Sequence, residues 1–135
     1  MVRIFLPLSL LPLRVTAVLT LVAGLVYFLR RKPMPYHQRY LVVPFASLEE
    51  RTRGLILALL HATGCGLLSV GLGLGILAWG PLPAHAAWAG GLTWAMLACS
   101  TVSMTLVTLK VGFYTPWWLI LILGLSSMAG LCAYS

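Results

Sequence analysis

Aspartate and asparagine are absent from this 135-residue chain, glutamate occurs only as the neighbouring pair Glu49 and Glu50, and charged residues make up 8% of the whole. A soluble domain of this length carries about a quarter charged residues. The deficit therefore excludes an ordinary water-soluble fold. It also bears on chemistry. Proton-coupled carriers and proton relays place chains of Asp, Glu or His inside the bilayer, and here no carboxylate lies in any apolar run, with His61 the one imidazole within one. Serine, cysteine and histidine are present, but no base and orienting partner stand at a spacing that would activate a nucleophile. The sequence points away from an enzyme.

The three cysteines, Cys65, Cys99 and Cys132, all fall in apolar runs, with no C-x-x-C and no Cys–His spacing of the zinc type. They are expected to be small buried hydrophobes at helix contacts, and no metal site is expected.

What the chain has is apolar length: 61% of its residues are hydrophobic and the mean hydropathy is +1.00. This composition is that of an integral membrane protein. The formal charge of +7 imitates a nucleic-acid signal, but the basic residues flank apolar runs and form no basic face with interleaved aromatics. Nucleic acid is accordingly not an expected partner. Anionic phospholipid headgroups are, at about 1 kcal/mol per basic residue near the surface. The start, MVRIFLPLSLLPLRVTA, resembles a signal peptide in outline, yet Arg14 interrupts its apolar run. It is expected to belong to the first membrane helix.

A bilayer core takes about 20 helical residues to cross, and four spans fit, at about 8–29, 55–79, 84–109 and 116–133. The first has Pro7 and Pro12 near its start, where missing amide donors matter least. The second helical run extends from Leu48 to Trp79, with Ser47 and Glu50 in the S-x-x-E pattern of a capping box. Gly80-Pro81-Leu82-Pro83 ends it, and Thr115-Pro116 offers an N-cap and first residue to the last helix. The links are too short for further domains. The expected fold is all-α: one transmembrane domain over residues 1–135, a polytopic four-helix bundle with a short interfacial segment between its first two spans.

Lys and Arg in the short loops set orientation. Arg30, Arg31, Lys32, Arg39, Arg51 and Arg53 fall between the first two spans and Lys110 after the third, while the GPLPAH link has none. The basic loops are expected on the cytoplasmic or matrix side of a bacterial or organellar inner membrane, with Arg3 and Arg14 departing from the rule. Arg14, Arg30, Arg31, Lys32, Arg39, Lys110, Tyr36, Tyr40, Trp117 and Trp118 are the expected lipid or interface contacts, with Tyr114 in the same aromatic belt as the tryptophans and Trp79, Trp88 and Tyr134 in the opposite one. Arg14 either snorkels to headgroups or finds a backbone carbonyl, a lipid phosphate or another protein. The middle of the basic loop, PMPYHQRYLVVPF, is too apolar to float free and too short to cross, so it is expected on the membrane surface or against a partner.

Small residues recur on the second helix: Ala58, Ala62 and Gly66 at four-residue spacing, then Gly71 and Gly75. Such ridges let backbones approach closely in lipid, and these residues are expected to pack against another subunit in preference to the bundle itself. Further along, Thr101, Thr105 and Thr108 share a face with Ser100 and Ser103 beside it. That face is either a polar lining or a set of hydroxyls bonded back to the preceding turn. His37, His61 and His85 raise haem ligation, but His61 and His85 lie at different depths. The expectation is no cofactor of the chain's own, and at most a contact from His61 to a haem or pigment held by a partner. Together these features favour a non-catalytic accessory subunit packed against larger integral membrane subunits. The alternatives are a small homo-oligomeric channel or carrier lined by Thr101 and Thr105, and a haem- or pigment-contacting subunit.

Overall fold

A computed structural model describes residues 8–112, 115 and 117–134, without the side chains of Val111 and Trp117. Arg3, Pro7, Tyr114, Pro116 and the Trp117 side chain lie outside the described residues. The regular structure of the described chain is all helical: α1 (Leu11–Leu29), the one-turn α2 (Pro35–Gln38), a 3₁₀ turn (Phe45–Ser47), α3 (Glu50–Trp79), α4 (Ala87–Val111) and α5 (Trp117–Tyr134). Three of these, α1, α3 and α4, are long and apolar enough to cross a membrane, and α5 is a shorter apolar helix.

The long helices run up and down. α1 packs most extensively on α3 and next on α5, and α5 packs on α4; α3 and α4 touch only slightly. The order across the bundle is thus α3–α1–α5–α4, an arc that nearly closes. At one end lie the start of α1, the end of α3, the tight 80–86 turn and the end of α5, where the Tyr134 hydroxyl donates to Leu82 O at 2.9 Å. At the other end lie the end of α1, the 30–49 loop and the Gly112 turn. Exposed Arg30, Arg31, Lys32, Arg39, Arg51 and Lys110 gather at this loop end, with the half-buried Arg53. Leu10, Leu13, Leu74, Leu77, Leu97 and Leu131 make the core, which is densest toward the tight-turn end.

Four local expectations are corrected. The capping box does not form: Ser47 belongs to the 3₁₀ turn and its hydroxyl donates to Pro44 O at 2.8 Å, while α3 begins at Glu50 after Glu49, with no side-chain cap. Pro44 holds the chain out of helix geometry, so Ser47 finds a carbonyl behind it before it can reach the amides ahead. Residue 84 does not open α4, which starts at Ala87, because residues 80–86 close on themselves through Leu82 N–Leu77 O, Ala84 N–Gly80 O and Ala86 N–Pro81 O. The Thr115 hydroxyl donates backwards, to Thr108 O at 2.9 Å and Gly112 O at 2.7 Å, closing the end of α4. The cysteines are all exposed, because in a mostly apolar chain the outward faces are as hydrophobic as the contacts.

Candidate functional site

The two sides of α3 use small residues differently. Gly64 and Gly71 face α1. A Cβ on Gly64 would stand 2.7 Å from Phe28 N and 3.0 Å from Gly24 O, and one on Gly71 would stand 2.8 Å from Leu21 N. Gly24 answers from α1, where a Cβ would meet Leu68 N at 2.7 Å. This is backbone against backbone, the closest approach two helices make. Gly71, expected on the partner ridge, is therefore consumed inside the bundle. A side chain at Gly75 would meet only the Trp79 ring within 4 Å.

Ala58, Ala62 and Gly66 are different. All three are exposed, and within 4 Å of a Cβ on Gly66 there is nothing. At 3.6 residues per turn they share the face turned away from α1 with Cys65 and Ser69, also exposed. The Ser69 hydroxyl is satisfied by Cys65 O at 2.9 Å, so the face shows no unmet polar group there. It is smooth, nearly flush with the backbone, and covered by no other helix of the described chain.

Two side chains tie helix ends together. Arg14 sits in the first turn of α1, where the helix dipole disfavours a cation, but its Nε donates to Ala78 O at 3.3 Å and its guanidinium lies 5.5 Å from the Trp79 ring centroid. Ala78 is among the last carbonyls of α3, which lack partners within the helix and carry its negative end. Arg14 thus caps the neighbouring helix. Arg14→Met is expected to lower stability by about 1 kcal/mol, read as a fall in the thermal midpoint in detergent; Arg14→Lys recovers part of it, because an ammonium lacks the flat face that stacks on Trp79. At the other end His61 Nε2 donates to Arg30 O at 3.1 Å and its ring lies 5.9 Å from that of Phe28. His61 thus serves the carbonyl just past the end of α1.

His85 stands at the opposite end, with φ 54° and its ring stacked on Tyr134 at 5.6 Å. His61 and His85 are not brought together, and among the described residues no group of three His, Cys or acidic side chains could hold a metal. The α4 hydroxyls, the exposed Ser103 apart, are turned inward or onto their own helix. Thr101 packs on Gly124 of α5, Thr105 is buried with an unpartnered hydroxyl, Ser100 donates to Met96 O at 2.6 Å and Thr108 to Met104 O at 2.8 Å. A polar tie invisible in the sequence joins α1 and α5 instead: the buried Thr16 and Ser127 hydroxyls are 2.8 Å apart.

The apolar middle of the basic loop folds back on the bundle. Tyr36 and Tyr27 share a hydroxyl–hydroxyl bond, Gln38 Nε2 donates to Pro33 O at 3.1 Å, and Tyr40 lies against Gly112. His37 packs on Tyr36 with ring centroids 4.3 Å apart and on Tyr27 at 6.1 Å. Burial lowers the His37 pKa, so its neutral form is favoured when folded. The unfolded chain then binds more protons between the two values, and stability rises with pH. The His37 contribution is complete above its unfolded value, about 6.5, and is lost as pH falls through the folded one. A midpoint that drops on acidification more steeply in the native chain than in His37→Leu is the expected result. Trp118, at the start of α5, and Trp79 and Trp88, at the far end, are all exposed. No family model, curated protein or solved structure matches this chain.

Proposed function

We propose that the protein is a non-catalytic accessory subunit of a larger integral membrane complex, with α1, α3, α4 and α5 all crossing the bilayer, and that the Ala58–Ala62–Gly66 face of α3 receives a helix of a larger subunit. One observation carries this reading: α3 spends Gly64 and Gly71 on α1 and still presents a second small-residue face that no described residue covers. Helices in lipid gain no hydrophobic drive from pairing, and what brings them together is close backbone packing. A helix whose only neighbour is lipid has no use for alanine and glycine there. The basic residues gathered at the loop end suit the cytoplasmic or matrix side and anionic headgroups.

The channel reading is less well supported, because Thr101 and Thr105 are buried, Thr101 against Gly124 of α5. A haem or pigment contact through His61 competes with its bond to Arg30 O. The test is affinity isolation after mild detergent extraction. Larger integral subunits are expected in fixed stoichiometry with the native chain and lost from the Ala62→Leu, Gly66→Leu variant, with its helical spectrum and thermal midpoint retained. Full retention of partners by that variant refutes the assigned face.

A further inference from the structure

Because α3 and α4 meet closely only near the turn that joins them, where Met96 covers Gly73, their other halves stand apart. The gap is a cleft of about 590 Å³, floored by α1 and α5 and roofed by residues 33–41. That volume is in the range of sites for small organic ligands, about 300–1,000 Å³. Leu59 of α3 and Val107 of α4, on its two edges, are 60% and 57% exposed, so the mouth opens sideways between these helices.

The polarity of the lining is one-ended. Among the described residues no charged side chain lines it. Thr20, Thr63, Thr108 and Thr115 do, but each spends its proton on a backbone carbonyl. Donors remain only under the roof. One proton of the Tyr27–Tyr36 pair is used between the two hydroxyls and the other is free, and His37 makes ring contacts but neither of its ring nitrogens is hydrogen-bonded within the described chain.

We propose that the cleft binds one hydrocarbon-chain ligand with a neutral carbonyl at its head, the chain lying between α3 and α4 and the carbonyl accepting from the Tyr27–Tyr36–His37 cluster. A phosphate or carboxylate head is disfavoured, since among the described residues no cation lines the cleft and a buried charge must be paired. Arg30 acts on the Tyr27 hydroxyl only through its field, from an exposed position. A plain alkane leaves the roof donors unmet, and a donor buried without a partner is costly. The carbonyl chemistry is shared by neutral glycerides and by quinones. This inference stands apart from the accessory role, since the α3 face that carries that role is not part of the cleft.

The purified protein in mild detergent is incubated with decylubiquinone, dioleoylglycerol or hexadecane, and the intact complexes are weighed by native mass spectrometry. One equivalent of at least one carbonyl probe is expected to remain bound, and hexadecane is not. Retention of the quinone alone or the glyceride alone identifies the source within the proposed class. Thr63→Trp and Ala23→Phe, which fill the cleft from its α3 side and from its floor, are expected to weaken binding about tenfold or more, and the Tyr36→Phe, His37→Leu variant to weaken it severalfold. That last variant leaves the walls intact, so it decides the matter if the filled variants do not fold. The proposal is overturned if the native chain retains neither carbonyl probe, if hexadecane is held equally, or if the roof variant or a folded filled variant binds as the native chain does.

Discussion

Gly64→Leu is expected to prise α1 from α3 and leave a protein that loses its cooperative thermal transition in detergent, while Gly66→Leu, two residues away, leaves the midpoint nearly unchanged. The contrast follows from what each glycine meets. At Gly64 the first added carbon already stands 2.7 Å from Phe28 N, a backbone atom that moves only if the helix moves. Overpacking of this kind costs about 1–3 kcal/mol even for small additions, so Gly64→Ala is expected to lower the midpoint clearly. Leucine adds three more carbons to a seam with no room. At Gly66 nothing lies within 4 Å of the added carbon, and surface changes away from contacts stay within about 0.5 kcal/mol. Equal effects at the two positions would mean that the two faces of α3 have been assigned wrongly.

Gly112→Ala carries the second large effect. Gly112 has φ 139° and ψ 165°, a region that only glycine enters without strain, at about 1–3 kcal/mol for other residues. A Cβ there would also fall within 2.8 Å of the Tyr40 ring carbon Cε1, so Tyr40 must leave the end of α4. The roof formed by residues 33–41 loses one of its attachments, and tryptic cleavage after Arg39 is expected to quicken severalfold. Gly54→Ala serves as control: it is helical, nothing lies within 4 Å of its added carbon, and alanine is favoured over glycine in a helix by about 0.5–1 kcal/mol. Its cleavage rate should match the native chain.

The sequence was most legible where a single residue type acts alone. Gly80-Pro81-Leu82-Pro83 stops α3 at Trp79 because proline cannot continue a helix, and apolar length located all the long helices to within a few residues. It was least legible where two distant segments decide together. Gly71 and Gly66 look alike in the repeat, and what separates them is Leu21 and Ala17 on another helix. The Ser47–Glu50 pattern failed because Pro44 offered the serine a nearer carbonyl. Burial of the cysteines was misjudged because hydrophobicity does not distinguish the inside of a bundle from its lipid side. The cleft had no sequence signal at all, since it arises from the divergence of two helices and a loop folded over the gap between them. Only the apolar, aromatic composition of PMPYHQRYLVVPF hinted that the basic loop was more than an anchor.

An exposed small-residue face on α3 is the feature from which the accessory role is argued, and the mass of the intact assembly in gentle detergent tests it most directly. The native chain is expected in a discrete particle with larger integral subunits at fixed stoichiometry, and the Ala62→Leu, Gly66→Leu variant as a separate folded chain. A native chain that flies alone, or only with copies of itself, contradicts the accessory role.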